Sequence, residues 1–210
     1  MLGCTMPASD QLTLVGDHVR LEPLGLNDVP ALVAAVAEDP ASYRFSTVPQ
    51  GESAMRAWVE RALGERADRA ALPFSIYSRD GERIVGSTRF YELQWWHPPA
   101  DDGDPDACMI GYTWLAASAQ GTSVNTEAKL LMLTHAFETW KVDRVGFRID
   151  ARNERSRASV QRLGATFEGV RRAERLGADG ELRDSAYYSI LVAEWPAAKH
   201  GLTSRLTACS

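Results

Sequence analysis

The segment His18-Val19-Arg20-Leu21-Glu22-Pro23-Leu24 alternates polar and apolar residues, the period-two pattern of a half-buried strand. Asn27-Asp28-Val29-Pro30 then offers a cap and an early proline, which predicts a helix to about Glu38. Pro40 breaks it, and from Glu52 to about Ala71 the pattern is helical again, with Met55, Trp58, Val59 and Leu63 near one face. The period returns to two at 74–77 and 83–91, two strands joined by Arg79-Asp80-Gly81-Glu82, whose Asp-Gly pair suits a tight hairpin turn. Prolines and aspartates between Trp95 and Asp106 predict a loop, and 108–115 a strand. Leu130, Leu133, Phe137 and Trp140 form the stripe of an amphipathic helix. Strands over 144–150, 166–175 and 184–192, a short helix over 156–163 stopped by Gly164, and a closing helix from Glu194 to about Leu206 complete the order. The pattern predicts about seven strands in one α/β domain over 12–210, preceded by a flexible polar leader over 1–11, with no repeats or long linker.

Composition narrows the class. With 210 residues, 45% hydrophobic and 24% charged, the chain can bury a substantial core. Its net charge of -5 does not fit a duplex-binding domain, so nucleic acid is not expected as a partner. Basic residues gather between Arg144 and Arg175 and acidic ones between Asp101 and Asp106. Cys4, Cys108 and Cys209 lack metal-ligand spacing, so no metal is expected and a reducing compartment is the simplest reading. No apolar run is long enough for a membrane span, and a cytoplasmic location follows as the expectation.

One segment carries candidate chemistry. A strand that runs through Gln120-Gly121-Thr122-Ser123 into a helix places backbone N–H groups at a helix N-terminus, where the dipole favours an anion. The same residues serve equally well as an ordinary cap.

Taken together, Ile110-Gly111-Tyr112-Thr113-Trp114-Leu115 through Gly121 to Thr126-Glu127-Ala128, then Asn153-Glu154-Arg155-Ser156, then Leu163-Gly164-Ala165-Thr166-Phe167-Glu168-Gly169, resemble the GNAT superfamily of N-acetyltransferases, and within it the RimJ/RimL-like branch. The resemblance runs from about Leu12 to Leu206 and implies a mixed, mostly antiparallel sheet flanked by helices. It implies acetyl-coenzyme A, or another short acyl-coenzyme A, as co-substrate and a primary amine as acceptor, on a protein N-terminus or a small molecule. The residues implied at the coenzyme are Trp114, Leu115 and Ala116 on a strand that splays from its neighbour, Gln120, Gly121, Thr122, Ser123, Val124 and Asn125 in the loop and helix start, and Asn153 and Ser156.

Two departures from the superfamily pattern stand out, one in the loop and one at the proton donor. Ser118 and Ser123 stand where a long polar residue and a small Gly or Ala are usual, and Val160 stands where many members place a proton-donating tyrosine. Ser156 is the implied alternative donor to the leaving thiolate, with helix N-capping as its other reading. Met109 occupies a place where related enzymes often have an acid, which leaves Glu92 and His97 as candidates for the base. Trp95, Trp96 and Tyr112 are the candidates for acceptor recognition; the adjacent tryptophans suit an acceptor pocket, a homodimer contact or simple loop packing. A non-catalytic acyl-coenzyme A binding module, or a domain for another phosphorylated ligand, stays open beside the enzyme reading.

Overall fold

Continuous apolar runs in the middle of the chain become central strands covered on both faces, while the alternating runs become the flanks. The computed structural model describes residues 12–96 and 103–208. The leader over 1–11, His97, Asp101, Asp102, Cys4 and Cys209 therefore lie outside the described residues.

The strands are β1 (Leu14–Val15), β2 (Val19–Pro23), β3 (Ala71–Ser78), β4 (Arg83–Gln94), β5 (Ala107–Leu115), β6 (Arg144–Asp150), β7 (Thr166–Leu176) and β8 (Leu182–Leu191). The helices are α1 (Val29–Ala37), α2 (Glu52–Ala67), α3 (Ser123–Thr134), α4 (Glu154–Arg162) and α5 (Trp195–Ala208). One sheet of 8 strands runs in the order β1-β2-β3-β4-β5-β6-β8-β7. Every neighbouring pair is antiparallel except β5 and β6, which are parallel.

The expected element order holds, with differences that have local causes. The additional strand is Leu14–Val15, too short for periodicity to reveal, which pairs with Leu21 and Arg20. α2 ends at Ala67, earlier than expected, because Arg69 takes the left-handed conformation (φ 57°) and Ala70 N–H closes back onto Glu65 C=O at 2.8 Å. That closure usually uses glycine, and its absence from the sequence hid the stop. The strand that follows gains Ala71–Pro73. The helix over 130–140 is α3 up to Thr134 and then a π-helical turn, His135–Trp140, that sets the Trp140 ring 4.6 Å from Phe90.

Side-chain contacts assign the faces. Thr88 of β4 touches Met132 of α3, whereas its neighbour Arg89 reaches Glu65 and Trp58 of α2. Alternation along a strand therefore puts α3 and α2 on opposite faces. α4 joins the α3 face through the Asn125–Ser159 hydrogen bond (3.3 Å), and α5 through its contacts with α3. One apolar core runs from Val19 to Leu202 and takes in buried residues of β2 to β6 and of β8. No described helix is long and apolar enough to cross a membrane.

Candidate active site

The ladder between β5 and β6 covers three pairs, Ala107 with Arg144, Cys108 with Val145 and Met109 with Gly146, and then stops. Beyond Met109 the two strands part, so β5 from Ile110 to Leu115 has a partner on its β4 side and none on its β6 side. Ala116 N–H donates to Val85 C=O on β4 at 2.7 Å, so the preceding residue turns its polar groups to the opposite edge. Leu115 C=O accordingly accepts from Tyr43 Oη (2.9 Å) and Gln120 Nε2 (2.9 Å), not from a strand. Leu115 thus presents its backbone N–H to the gap, and Trp114 and Ala116 do not.

A bulge shapes this edge. The register slips between Ser87, opposite Trp114, and Arg89, opposite Gly111, which leaves one extra residue on β5. Tyr112 takes up the excess at φ 51° and stands 45% exposed. Its ring lies 4.1 Å from the Arg89 guanidinium and edge-on to Tyr91 at 5.1 Å. Arg89 itself is buried between Tyr112 and Trp58, is paired with Glu65 at 2.6 Å, and its Nε finds no acceptor.

At the end of β5 a 3₁₀ turn, Ala117–Ala119, leads into the loop and α3. Ser118 N–H donates to Glu38 Oε2 (2.8 Å) and its Oγ accepts from Arg83 (2.7 Å), so a buttress from α1 and β4 fixes the turn where the long polar side chain is missing. Arg83 also donates to Glu38 Oε1 at 2.8 Å, and the hydrogen bonds from Arg83 and from Ser118 hold the Glu38 carboxyl down at about 2. Gly121 has φ 76°, and a Cβ placed there would meet nothing within 4 Å, so the backbone is open on that side. Thr122 caps α3, its Oγ1 accepting from Val124 N–H at 3.3 Å. Ser123 begins the helix, where the first N–H groups have no intrahelical acceptor.

Across the gap, Asn153 caps α4, its Oδ1 accepting from Ser156 N–H at 3.0 Å. Ser156 is therefore the third helical residue and not the cap, because the helix starts at Glu154, two residues earlier than the pattern suggested. A bridge spans the mouth: Arg155 donates to Gln120 Oε1 (2.8 Å) and to Ser42 C=O (3.1 Å), while Gln120 Nε2 donates to Ser42 Oγ (3.2 Å). Beside it opens a cleft of about 310 Å³ between Ser42, Arg44, Phe45 and the α4 start.

On the α2 face beyond the gap, Glu92 (φ 47°) pairs with Arg148 at 3.0 Å. Trp95 donates its Nε1 to Gly103 C=O (3.1 Å) and has Arg69 over its ring, so its polar end is used within the loop. Trp96 is 50% exposed. Cys108 is buried, and burial pushes its thiol well above the usual range, as expected for a core cysteine.

The sequence reading missed two groups, Arg89 and Lys129. Lys129 is buried on α3, with Nζ donating to Thr113 Oγ1 at 2.6 Å and Thr88 Oγ1 at 3.1 Å. Its signal was present: Leu133 and Ala136 follow at four and seven residues, so helical spacing already placed the lysine in the apolar stripe. Arg89 gave none, since a lone arginine in a strand normally reads as a solvent-facing position.

Comparison with known proteins supplies the family. The domain described as "Acetyltransferase (GNAT) domain" matches residues 18–166. The chain belongs to the GNAT acetyltransferase family. A protein of T. thermophilus, solved as a "putative acetyltransferase", is 35% identical, with 98% of this chain and 100% of that one covered and a TM-score of 0.76. RimJ of Mycobacterium smegmatis, solved in complex with CoA-disulfide, shares the GNAT fold at 22% identity, 94% and 96% coverage and a TM-score of 0.77. The "Putative ribosomal N-acetyltransferase YdaF" of Bacillus subtilis is 38% identical over 90 residues, 43% of this chain and 48% of that protein, so the match spans about half of the relative.

Proposed function

We propose that this GNAT protein transfers an acetyl group from acetyl-coenzyme A to a primary amine by direct attack within a ternary complex. The observation that carries this reading is the free β5 edge from Ile110 to Leu115, which leads through the 3₁₀ turn to a left-handed Gly121 whose Cβ side is open. An extended thioester arm needs a free strand edge, and a pyrophosphate needs a helix N-terminus that a backbone can approach closely. The coenzyme supplies the activated acyl group. The chain supplies position: Leu115 N–H toward the acyl oxygen, the loop from Gln120 to Asn125 toward phosphate, and Asn153 holding the α4 start so that Ser156 faces the sulfur.

On the α2 face, Tyr112, Trp95 and Trp96 offer a partly aromatic surface to the acceptor. Glu92, paired with Arg148, places an acidic side chain on this face toward which an ammonium group would be drawn. The Bacillus subtilis relative, named as a putative ribosomal N-acetyltransferase, supports a protein N-terminus as acceptor.

The deciding measurement is thiol release from acetyl-coenzyme A with alanine- and serine-starting peptides and a panel of small amines, alongside calorimetry with coenzyme A. Release with at least one amine is the expected outcome. Tight coenzyme binding without any release would leave a binding module instead. Gly121→Val forces a branched side chain into a left-handed backbone and into the open side of the loop; coenzyme affinity should fall at least tenfold, and wild-type affinity in that folded variant would remove the loop from the site.

A further inference from the structure

Lys129 is the one lysine among the described residues that is buried on a face shared with the gap, and no carboxylate answers it. Both of its hydrogen-bond partners are threonine hydroxyls, and these hydroxyls also bond each other at 2.8 Å. Thr88 is buried on β4, whereas Thr113 is half-buried on the stretch of β5 that has no neighbour on its β6 side. The three groups form a short chain from the interior to the edge along which the acyl group is proposed to lie. Around them on this face stand Cys108 of β5, and Glu127 and His135 of the α3 run. The Glu127 carboxylate is taken up by the N–H groups of Asp17, His18 and Val19, at 2.9, 2.6 and 2.7 Å. His135 lies against Phe90 and Trp140.

We propose that Lys129 is a proton-holding, positioning residue for acetyl transfer, acting on the reaction centre through Thr113 Oγ1. The proposal rests on the acetyltransfer reading above. When the C–N bond forms and the C–S bond breaks, one proton must leave nitrogen and one must reach sulfur, so the balance over the whole step is zero. A buried amine that reaches the open edge through the Thr113 hydroxyl suits such an exchange, because it takes up one proton and returns one. Thr113 Oγ1 relays both, accepting on one side as it donates on the other. Burial pushes the Lys129 ammonium down to about 7 from 10.5, which lets either state be occupied near neutrality.

The test uses the full chain and three variants, K129M, T113V and T113S. Methionine matches the lysine stem in length and removes the amine; valine matches threonine in shape and removes the hydroxyl. With wild-type folding by thermal melt and coenzyme A affinity within twofold, K129M and T113V are each expected to lose at least tenfold in turnover at pH 7 and to lose the change in turnover between pH 6 and 8. T113S should retain both, and K129M/T113V should be no worse than either single variant. Nitrogen NMR of labelled lysine reads the same idea without turnover: one Nζ resonance should titrate near pH 7, vanish in K129M and shift in T113V. Unchanged turnover and pH profile in folded K129M overturn the proposal, as does an Nζ that stays protonated through pH 9. Failure of the acetyltransfer reading is distinguishable, since the wild type would then release no thiol while the resonance still titrated. Should K129M fail to fold, T113V and the NMR titration still decide.

Discussion

On the β5 side of the gap, polar groups are buried and answered mainly by neutral partners: Lys129 by two threonines, Tyr43 by a backbone carbonyl, and Arg89 by two rings and one partly exposed carboxylate. On the β6 side the pairs are ionic, and each has a member open to solvent. Arg152 pairs with Asp150 and Asp179, Arg148 with Glu92, and Arg171 with Glu174. The first kind of wall is sensitive to every atom, because a buried polar group that loses its partner keeps its full desolvation cost. The second is more tolerant, because its open members are screened by water and its buried members Asp150 and Glu174 each have a further charged neighbour, Arg183 and Arg148. The contrast suits the proposed chemistry: the side that would align the acyl group is rigid and dry, and the side that would meet the acceptor is wet and adjustable.

The strongest way to break this comparison is the pH dependence of stability. Lys129 titrates at about 7 in the fold and at 10.5 in the open chain, so between those values the unfolded state binds more protons and stability rises with pH. From pH 7 to 9.5 wild type should gain about 3 kcal/mol relative to K129M, at about 1.4 kcal/mol per pH unit, in urea unfolding. A constant difference between the two proteins across that range would mean that Lys129 is hydrated.

Next in size is Glu65→Ala, which strands the Arg89 charge between Trp58 and Tyr112. A fully buried pair broken this way costs roughly 3–5 kcal/mol; Glu65 is 35% exposed, so the expected loss is about 2 kcal/mol. A loss below half of that would put Arg89 with the tolerant wall.

Ser156→Ala should lower turnover about tenfold with coenzyme affinity within twofold, the effect of one placed hydrogen bond to developing charge. Unchanged turnover would assign Ser156 to helix packing alone. The smallest effect is expected at Arg171→Gln, whose side chain is 69% exposed: the urea midpoint should not move measurably. A clear shift there would show that the ionic wall is more rigid than its exposure implies.

Much of the fold was legible in the residues. Periods of two and near four located most elements, and the Asp-Gly turn located the hairpin, because both depend on contacts within a few residues. Gly121 was legible as a helix-start glycine, but whether its free side faced open space depended on residues distant in the chain. The stop of α2 at Arg69 escaped because a non-glycine residue adopted the left-handed cap. At the site, Asn153 and Ser156 were recognised as a pair, yet which of them capped α4 was settled by a single hydrogen bond, Ser156 N–H to Asn153 Oδ1.

By itself, then, the sequence determined the order of strands and helices, the glycine at the mouth of the loop, and the family resemblance that both carry. Tertiary structure alone decided where β5 and β6 part, that Leu115 and not Ala116 turns its N–H into the opening, and that Lys129 meets two threonines from strands 41 and 16 residues away along the chain. The division has a physical reason: hydrophobic periodicity records which face of an element is buried, whereas the partner of a buried polar group is set by the register between elements, which no single element encodes.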